Sequence, residues 1–262
     1  MIKVINIMPD LDEELLKQVQ KLQNKSLVTT SMIEIVKAIP SLAKEAFKVL
    51  KELLNDSDES IKFAVIDGIV EIVKANLNLA KKTFKMLKEL LSDDVVMYSA
   101  IDSMVKVVKI MHTTEAFDTL KELLSGLDID NYTHSYVKGE AVRSLKEVVK
   151  AMHVESAFKA LKELVDGPNK TLKYAAIWSL VVVIEIKPST TEEVFIILKK
   201  LINDSNSYIR DAAVRTLGEV VKVKPSTAEE VFAVLRELLS DSDKYIKHAA
   251  VNSLGKISKS KV

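Results

Sequence analysis

Few side chains of this 262-residue chain are equipped for chemistry: four histidines, no cysteine and one tryptophan. The lack of cysteine removes disulfide staples, thiol nucleophiles and thiolate zinc sites together. The densest set of potential ligands lies in the segment 125–134, where Asp128, Asp130, Asn131 and His134 offer oxygen and nitrogen donors to a cation. Their spacing lacks the twelve-residue calcium-loop pattern ending in Glu, so a solvated turn is expected there, and no metal or cofactor. His112 and His153 stand at equivalent places, just before Thr113 and Val154. Helices stacked about 8–10 Å apart do not bring such positions to one ion, and both are read as helix-terminal polar residues. No glycine-rich phosphate loop, Ser/His/Asp signature or dense carboxylate cluster occurs. What is left is a set of aromatic, apolar and basic side chains at helical spacing: Tyr174, Trp178, Val181 and Val182, with Arg143 and Arg215.

The elements that position these residues are set by an internal repeat. Phe47, Phe84, Phe117, Phe158, Phe195 and Phe232 each open nearly the same phrase, as in Phe47-Lys-Val-Leu-Lys-Glu-Leu-Leu54 and Phe158-Lys-Ala-Leu-Lys-Glu-Leu-Val165. Phe47, Leu50, Leu53 and Leu54 fall on one stripe of a helix. A polar turn follows each phrase, for example Asn203-Asp-Ser-Asn206, whose residues suit turns and helix N-caps. Second helices then begin near Ile61, Val96, Val137, Leu172, Ile209 and Ile246. Aligned, they share a small column, Gly68, Ser103, Ser144, Ser179, Thr216 and Ser253, and another of Val65, Ala100, Ala141, Ala176, Ala213 and Ala250. Small residues let stacked helices approach closely, which is packing and implies no chemistry. The linkers Pro188-Ser-Thr-Thr-Glu192 and Pro225-Ser-Thr-Ala-Glu229 predict a capping box, Ser at the cap and Glu three later. With a divergent N-terminal capping pair over 10–40, the pattern predicts about seven helical hairpins in one solenoid over 1–262, and an all-α fold.

Six glycines, five prolines and 48% hydrophobic residues agree with long helices rather than turn-rich sheets. No apolar run approaches the roughly 18 residues of a membrane span, and the first ten residues do not read as a signal peptide, so a cytoplasmic protein without a membrane partner is expected.

At this point the chain resembles the HEAT-repeat family, in particular its short HEAT-like repeats of the bilin-lyase type. In that family an Asp in the turn precedes a basic residue near the start of the second helix, and Asp56 with Lys62, Asp204 with Arg210 and Asp241 with Lys247 keep that separation. Lys138 and Lys173 keep the basic position with altered turns, and Met97 loses it. The resemblance implies a right-handed α-solenoid whose second helices line the concave, binding surface, and it implies that these pairs tie turn to helix between repeats. It says little about function, because one scaffold serves many tasks. A deoxyhypusine hydroxylase of this fold would need His-Glu pairs, and none of the four histidines is followed by Glu. Nothing specifies a tetrapyrrole pocket. An alkyl-base DNA glycosylase of HEAT-like fold would use concave aromatics with basic residues, which Tyr174, Trp178, Arg143 and Arg215 echo faintly.

On the second helices the variable column Asp67, Asp102, Arg143, Trp178, Arg215, Asn252 is the outward one, preceded by four residues by Phe63, Tyr98, Gly139, Tyr174, Asp211 and His248. Seven residues after the first column runs a basic rail, Lys74, Lys109, Lys150, Lys222 and Lys259, broken by Glu185. The six second-helix windows hold 15 basic and 8 acidic residues of the chain's 38 and 37, so a neutral chain has a basic inner layer. Two readings of the rail stand: attraction of phosphates or an acidic partner, or Lys complementing helix C-termini by about 0.3–1 kcal/mol each. Two stand for Tyr174, Trp178, Val181 and Val182 as well, a partner's anchor or a face buried by its neighbours. The expected function is a non-enzymatic protein-interaction scaffold, its partner held by these residues with Phe63, Tyr98, Arg143 and Arg215. Nucleic-acid binding on the same surface, in the manner of the glycosylases, is the alternative.

Overall fold

Hairpin after hairpin, the repeated phrases become pairs of antiparallel helices. The computed structural model describes residues 9–130 and 135–259, with side chains placed for 14–130, 136 and 138–258. Packing divides the chain into two units, Met1–Thr119 and Leu120–Val262. The first holds α1 (Pro9–Gln20), α2 (Lys25–Ala38), α3 (Ala43–Leu53), α4 (Glu59–Ala75), α5 (Ala80–Glu89), α6 (Met97–Ile110) and the start of α7 (Thr113–Ser125). The second continues through α8 (Ser135–Ala151), α9 (Val154–Asp166), α10 (Lys170–Ile186), α11 (Thr191–Leu201), α12 (Ser207–Val223), α13 (Ala228–Glu237) and α14 (Lys244–Lys259). Within the first unit α2, α4 and α6 pack in succession, and within the second α8, α10, α12 and α14 do so. No strand occurs among the described residues.

The first-helix stripe is the core the spacing requires. Leu50, Leu87, Leu120, Leu161, Leu198 and Leu235 are each 0–1% exposed, and full burial of one such side chain contributes about 1.5–3 kcal/mol. Small columns let second helices close up. The Ser103 hydroxyl donates to the Ile66 carbonyl of α4 at 2.9 Å, and Ser253 to Val214 of α12 at 3.2 Å. A Cβ on Gly218 would stand 3.1 Å from the Ser253 Cβ, so α12 and α14 meet with no room to spare.

Four of the second helices, α2, α4, α10 and α12, start at side-chain caps, whereas α6 starts at Val96 without one. Asn24, Asp58, Asn169 and Asn206 each accept a backbone N–H of the first turn, at 2.9–3.3 Å. The expected capping box before the first helices does not form. Pro188–Thr190 and Pro225–Thr227 wind instead as 3-10 turns without a side-chain cap, and Thr190 and Thr227 donate back to Lys187 and Lys224 at 2.8 Å. Proline, with its fixed φ, starts the turn by itself and leaves Ser189 facing solvent.

The turn acids and helix bases tie turn to helix between repeats, each base reaching the acid in the turn of the following repeat. Lys25 pairs with Asp56, Lys62 with Asp93 at 3.1 Å, Lys173 with Asp204 at 3.3 Å and Arg210 with Asp243 at 3.0 Å. Arg210 also grips its own turn, donating to the Asp204 and Ser205 carbonyls at 3.0 and 3.3 Å. Each rung thus joins a second helix to the next turn.

Candidate partner-binding site

Helix α10 is apolar nearly all round because α8, α9 and α12 all pack against it. Between Tyr174 and Ile184 only a strip at i, i+4 and i+7 escapes full burial, and it is Tyr174, Trp178 and Val181, while Lys170, Lys173, Glu185 and Ile186 are accessible towards the helix ends. Val182 is 3% exposed. One residue on from Val181 the helix has turned by about 100°, into its neighbours, so Val182 belongs to the core and leaves the surface set. The Tyr174 and Trp178 rings meet edge-on, centroids 6.3 Å apart at 70°, the favoured geometry for an aromatic pair. Burial raises the pKa of the Tyr174 phenol, against the opposing influence of the Trp178 N–H. The indole nitrogen itself is buried without a hydrogen bond of good geometry.

Beside this strip lies a recess of about 250 Å³. Gly139 and Val142 of α8 line one side, Tyr174 and Trp178 another, and Tyr208 of α12 a third. Gly139 is why the space exists. Its column carries Phe63, Tyr98 and Tyr174 in other repeats, whereas a Cβ built on Gly139 meets nothing within 4 Å. Ile129 and Lys138 complete the lining. Ile129 is 4% exposed, and the Lys138 ammonium donates to its carbonyl at 2.8 Å and to that of Asp128 at 3.3 Å. Burial lowers the Lys138 pKa, while Asp128 and Asp130 act in the opposite sense. The segment is fastened further by Asp130, which pairs with Lys170 at 3.6 Å and accepts from Asn206 at 3.2 Å, and by Thr171 donating to the Leu127 carbonyl at 2.7 Å. The expected solvated turn is therefore anchored from 127 to 130, and Asn131 and His134 lie outside the described residues.

Lys146 was not singled out by the spacing, yet its ammonium sits over the Trp178 ring, 5.4 Å from the centroid. Burial lowers its pKa; Glu185 and Glu219 pull the other way without reaching ion-pair distance. A signal was present, since its column reads Val70, Val105, Lys146, Val181, Gly218, Gly255, one charge among small and apolar residues. Tyr208 had no comparable signal, because its place in the recess depends on how α12 lies beside α10.

The remaining candidates are spread out. Arg143 is exposed and pairs with Glu140 on its own helix, and Arg215 is held by both Asp211 oxygens at 2.9 and 2.8 Å. Phe63 and Tyr98 are exposed on α4 and α6 of the first unit and do not line the recess. The rail is a row of pairs: Lys74 with Glu71 at 2.6 Å, Lys150 with Glu147 at 2.9 Å and Lys222 with Glu219 at 2.6 Å. Lys109 is exposed on α6, and the Lys259 side chain lies outside the described residues. Among the described residues no three His, Asp or Glu converge as a metal site would require, and no helix is long and apolar enough to cross a membrane.

Comparison with known proteins bears on the fold. No curated protein sequence matches the chain. Among solved structures, a Kap121p mutant shares 13% identity at a TM-score of 0.68, with 95% of this chain and 30% of that one covered. Kap121p bound to Nup53p shares 12% at 0.68, over 94% and 30%. An archaeal HEAT-like repeats protein from Thermococcus onnurineus NA1 is 14% identical over 96% and 98%, at a TM-score of 0.46. The chain thus spans about a third of the length of Kap121p, and identities this low speak to fold alone. Residues 194–262 match the family described as HEAT repeats, which bears out the resemblance read from the turn and helix phrases: the chain has the all-α solenoid fold of HEAT-repeat proteins.

Proposed function

We propose that the chain is a non-enzymatic interaction scaffold that holds a protein partner on its second-helix surface, with Tyr174, Trp178 and Val181 as the anchor. The observation that carries this reading is the half-buried Tyr174–Trp178 pair beside an open recess. Aromatic side chains at the edge of a concavity are what partner-binding hot spots are made of. Arg143 and Arg215, each already ion-paired, would frame the contact, and Phe63 and Tyr98 are exposed aromatic side chains of the first unit that could bind a partner separately. The Kap121p structures give the fold a precedent for protein partners, since Kap121p is seen bound to Nup53p.

Rail pairing favours a protein over nucleic acid. A lysine that already faces a glutamate at 2.6–2.9 Å must give up that pair, or bring the glutamate's charge with it, to meet a phosphate, which reduces the gain. Labelled single- and double-stranded DNA titrated by fluorescence anisotropy should show no binding at physiological salt, and binding that persists there would restore the nucleic-acid reading. For the protein reading, Trp178→Ala should abolish capture of a partner from a lysate of the source cell at unchanged helicity. Capture unaffected by that substitution would sink the anchor.

A further inference from the structure

The recess of the second unit is selective in size and in charge. Resting on the scaffold reading above, we propose that it receives one bulky apolar side chain, of the Phe or Leu class, from a partner peptide whose flanking residues are acidic.

Size comes first. About 250 Å³ falls short of the roughly 300–1,000 Å³ that encloses a whole small molecule and suits a single large side chain. The missing volume has a definite origin, because Gly139 stands where Phe63, Tyr98 and Tyr174 stand in other repeats. A partner's side chain would fill the place the chain leaves empty, against Val142, Ile129 and Trp178.

Charge decides what flanks it. Three carboxylates near the recess already have a base, Asp211 with Arg215 at 2.8 Å, Glu140 with Arg143, and Asp130 with Lys170 at 3.6 Å, while Glu185 acts on Lys146 only from beyond ion-pair distance. Glu219, the acid shared by Lys222 and Lys256 at 2.6 and 3.0 Å, does not reach Lys146. Lys146 is thus a partly desolvated ammonium with no ion pair among the described residues, resting on the Trp178 face. Lys138 adds a second ammonium to the lining. A cationic guest would meet two like charges and find a face of the tryptophan already occupied. A carboxylate beside the inserted side chain would instead supply the partner that Lys146 lacks, a desolvated and therefore strengthened contact.

Trp178 is the chain's single tryptophan, so its emission reports this site alone. The purified full chain is titrated with three synthetic peptides: acetyl-Asp-Glu-Phe-Asp-Glu-amide, the same peptide with Ala for Phe, and acetyl-Lys-Lys-Phe-Lys-Lys-amide. We expect a saturable emission change with the first, and binding at least ~10-fold weaker with the other two. Gly139→Leu should abolish it by filling the recess, and it enters open space on a helix that gains propensity, so the fold survives. Lys146→Met should weaken binding about tenfold and flatten its salt dependence. The inference is overturned if the lysine peptide binds as well as the acidic one, if Gly139→Leu keeps the affinity, or if none of the three changes the emission of the wild-type chain. Trp178-dependent capture of a protein partner alongside any of those results would leave the scaffold reading standing and remove only the acidic-peptide inference.

Discussion

Two glycines in equivalent second helices do opposite things. Gly139 faces open space, and Gly218 faces Ser253 at the contact between α12 and α14, where an added Cβ would also lie 3.4 Å from the Ser253 Cα. Both are helical, so either alanine would recover roughly 0.8–1 kcal/mol of propensity. At Gly139 nothing opposes that gain, and Gly139→Ala should raise stability by about 0.5–1 kcal/mol. At Gly218 the helices must move apart by a few tenths of an ångström, which overpacking data put at about 1–3 kcal/mol. Gly218→Ala should therefore come out at least ~1 kcal/mol less stable than Gly139→Ala in urea melts. Equal midpoints would mean that α14 yields freely and that the small column is not a spacing device.

At the level of elements, the rungs between repeats are more exacting than surface ion pairs. Arg210 makes three contacts, to the Asp204 and Ser205 carbonyls and to the Asp243 carboxylate, with about a fifth of its side chain exposed. Arg210→Ala leaves two turns without their donor, and we expect a loss of about 1–3 kcal/mol by denaturant unfolding. Lysine reaches either the carbonyls or the carboxylate, so Arg210→Lys should recover only part of it. A loss below ~0.5 kcal/mol would place this rung with ordinary surface pairs. The helices themselves were legible because Phe47 to Leu54 and its copies repeat one phrase, and turn residues such as Asn206 mark the caps. The direction of the rungs was not, since a six-residue separation gives proximity along the chain and says nothing of the next turn. The recess was half legible: Tyr174, Trp178 and Gly139 stand out in their columns, whereas Val182 looked like their neighbour until α10 proved to be packed on several sides. Tyr208 and Ile129 reach the recess only through tertiary packing, which no periodicity encodes.

Across the molecule, acid is the condition that tests the ion pairs together. The Lys25 ammonium holds the Asp56 carboxyl below its ordinary value, Lys62 does so for Asp93 and Lys187 for Glu155. Burial works against the charge of Glu219, yet Lys222 and Lys256 bring its pKa down as well. Carboxyls depressed in the folded state contribute stability that is complete above the ordinary carboxylate range and disappears as pH falls through the folded values. The urea midpoint should hold from neutrality down to about pH 5 and fall steeply below about pH 4. A midpoint that is flat to about pH 3 would show these acids to be as free folded as unfolded. In the second unit, Lys173 and Arg210 are separated by the same 37 residues as Phe158 and Phe195, and as Phe195 and Phe232. Each rung draws its base from one repeat and its acid from the next. A gene that gains or loses one whole period therefore carries matched halves of the bond with it, and the new neighbours find each other already complementary. The ion pair that fastens one repeat to another thus also permits the number of repeats to change, and it ties the lengths open to this part of the chain to steps of one period.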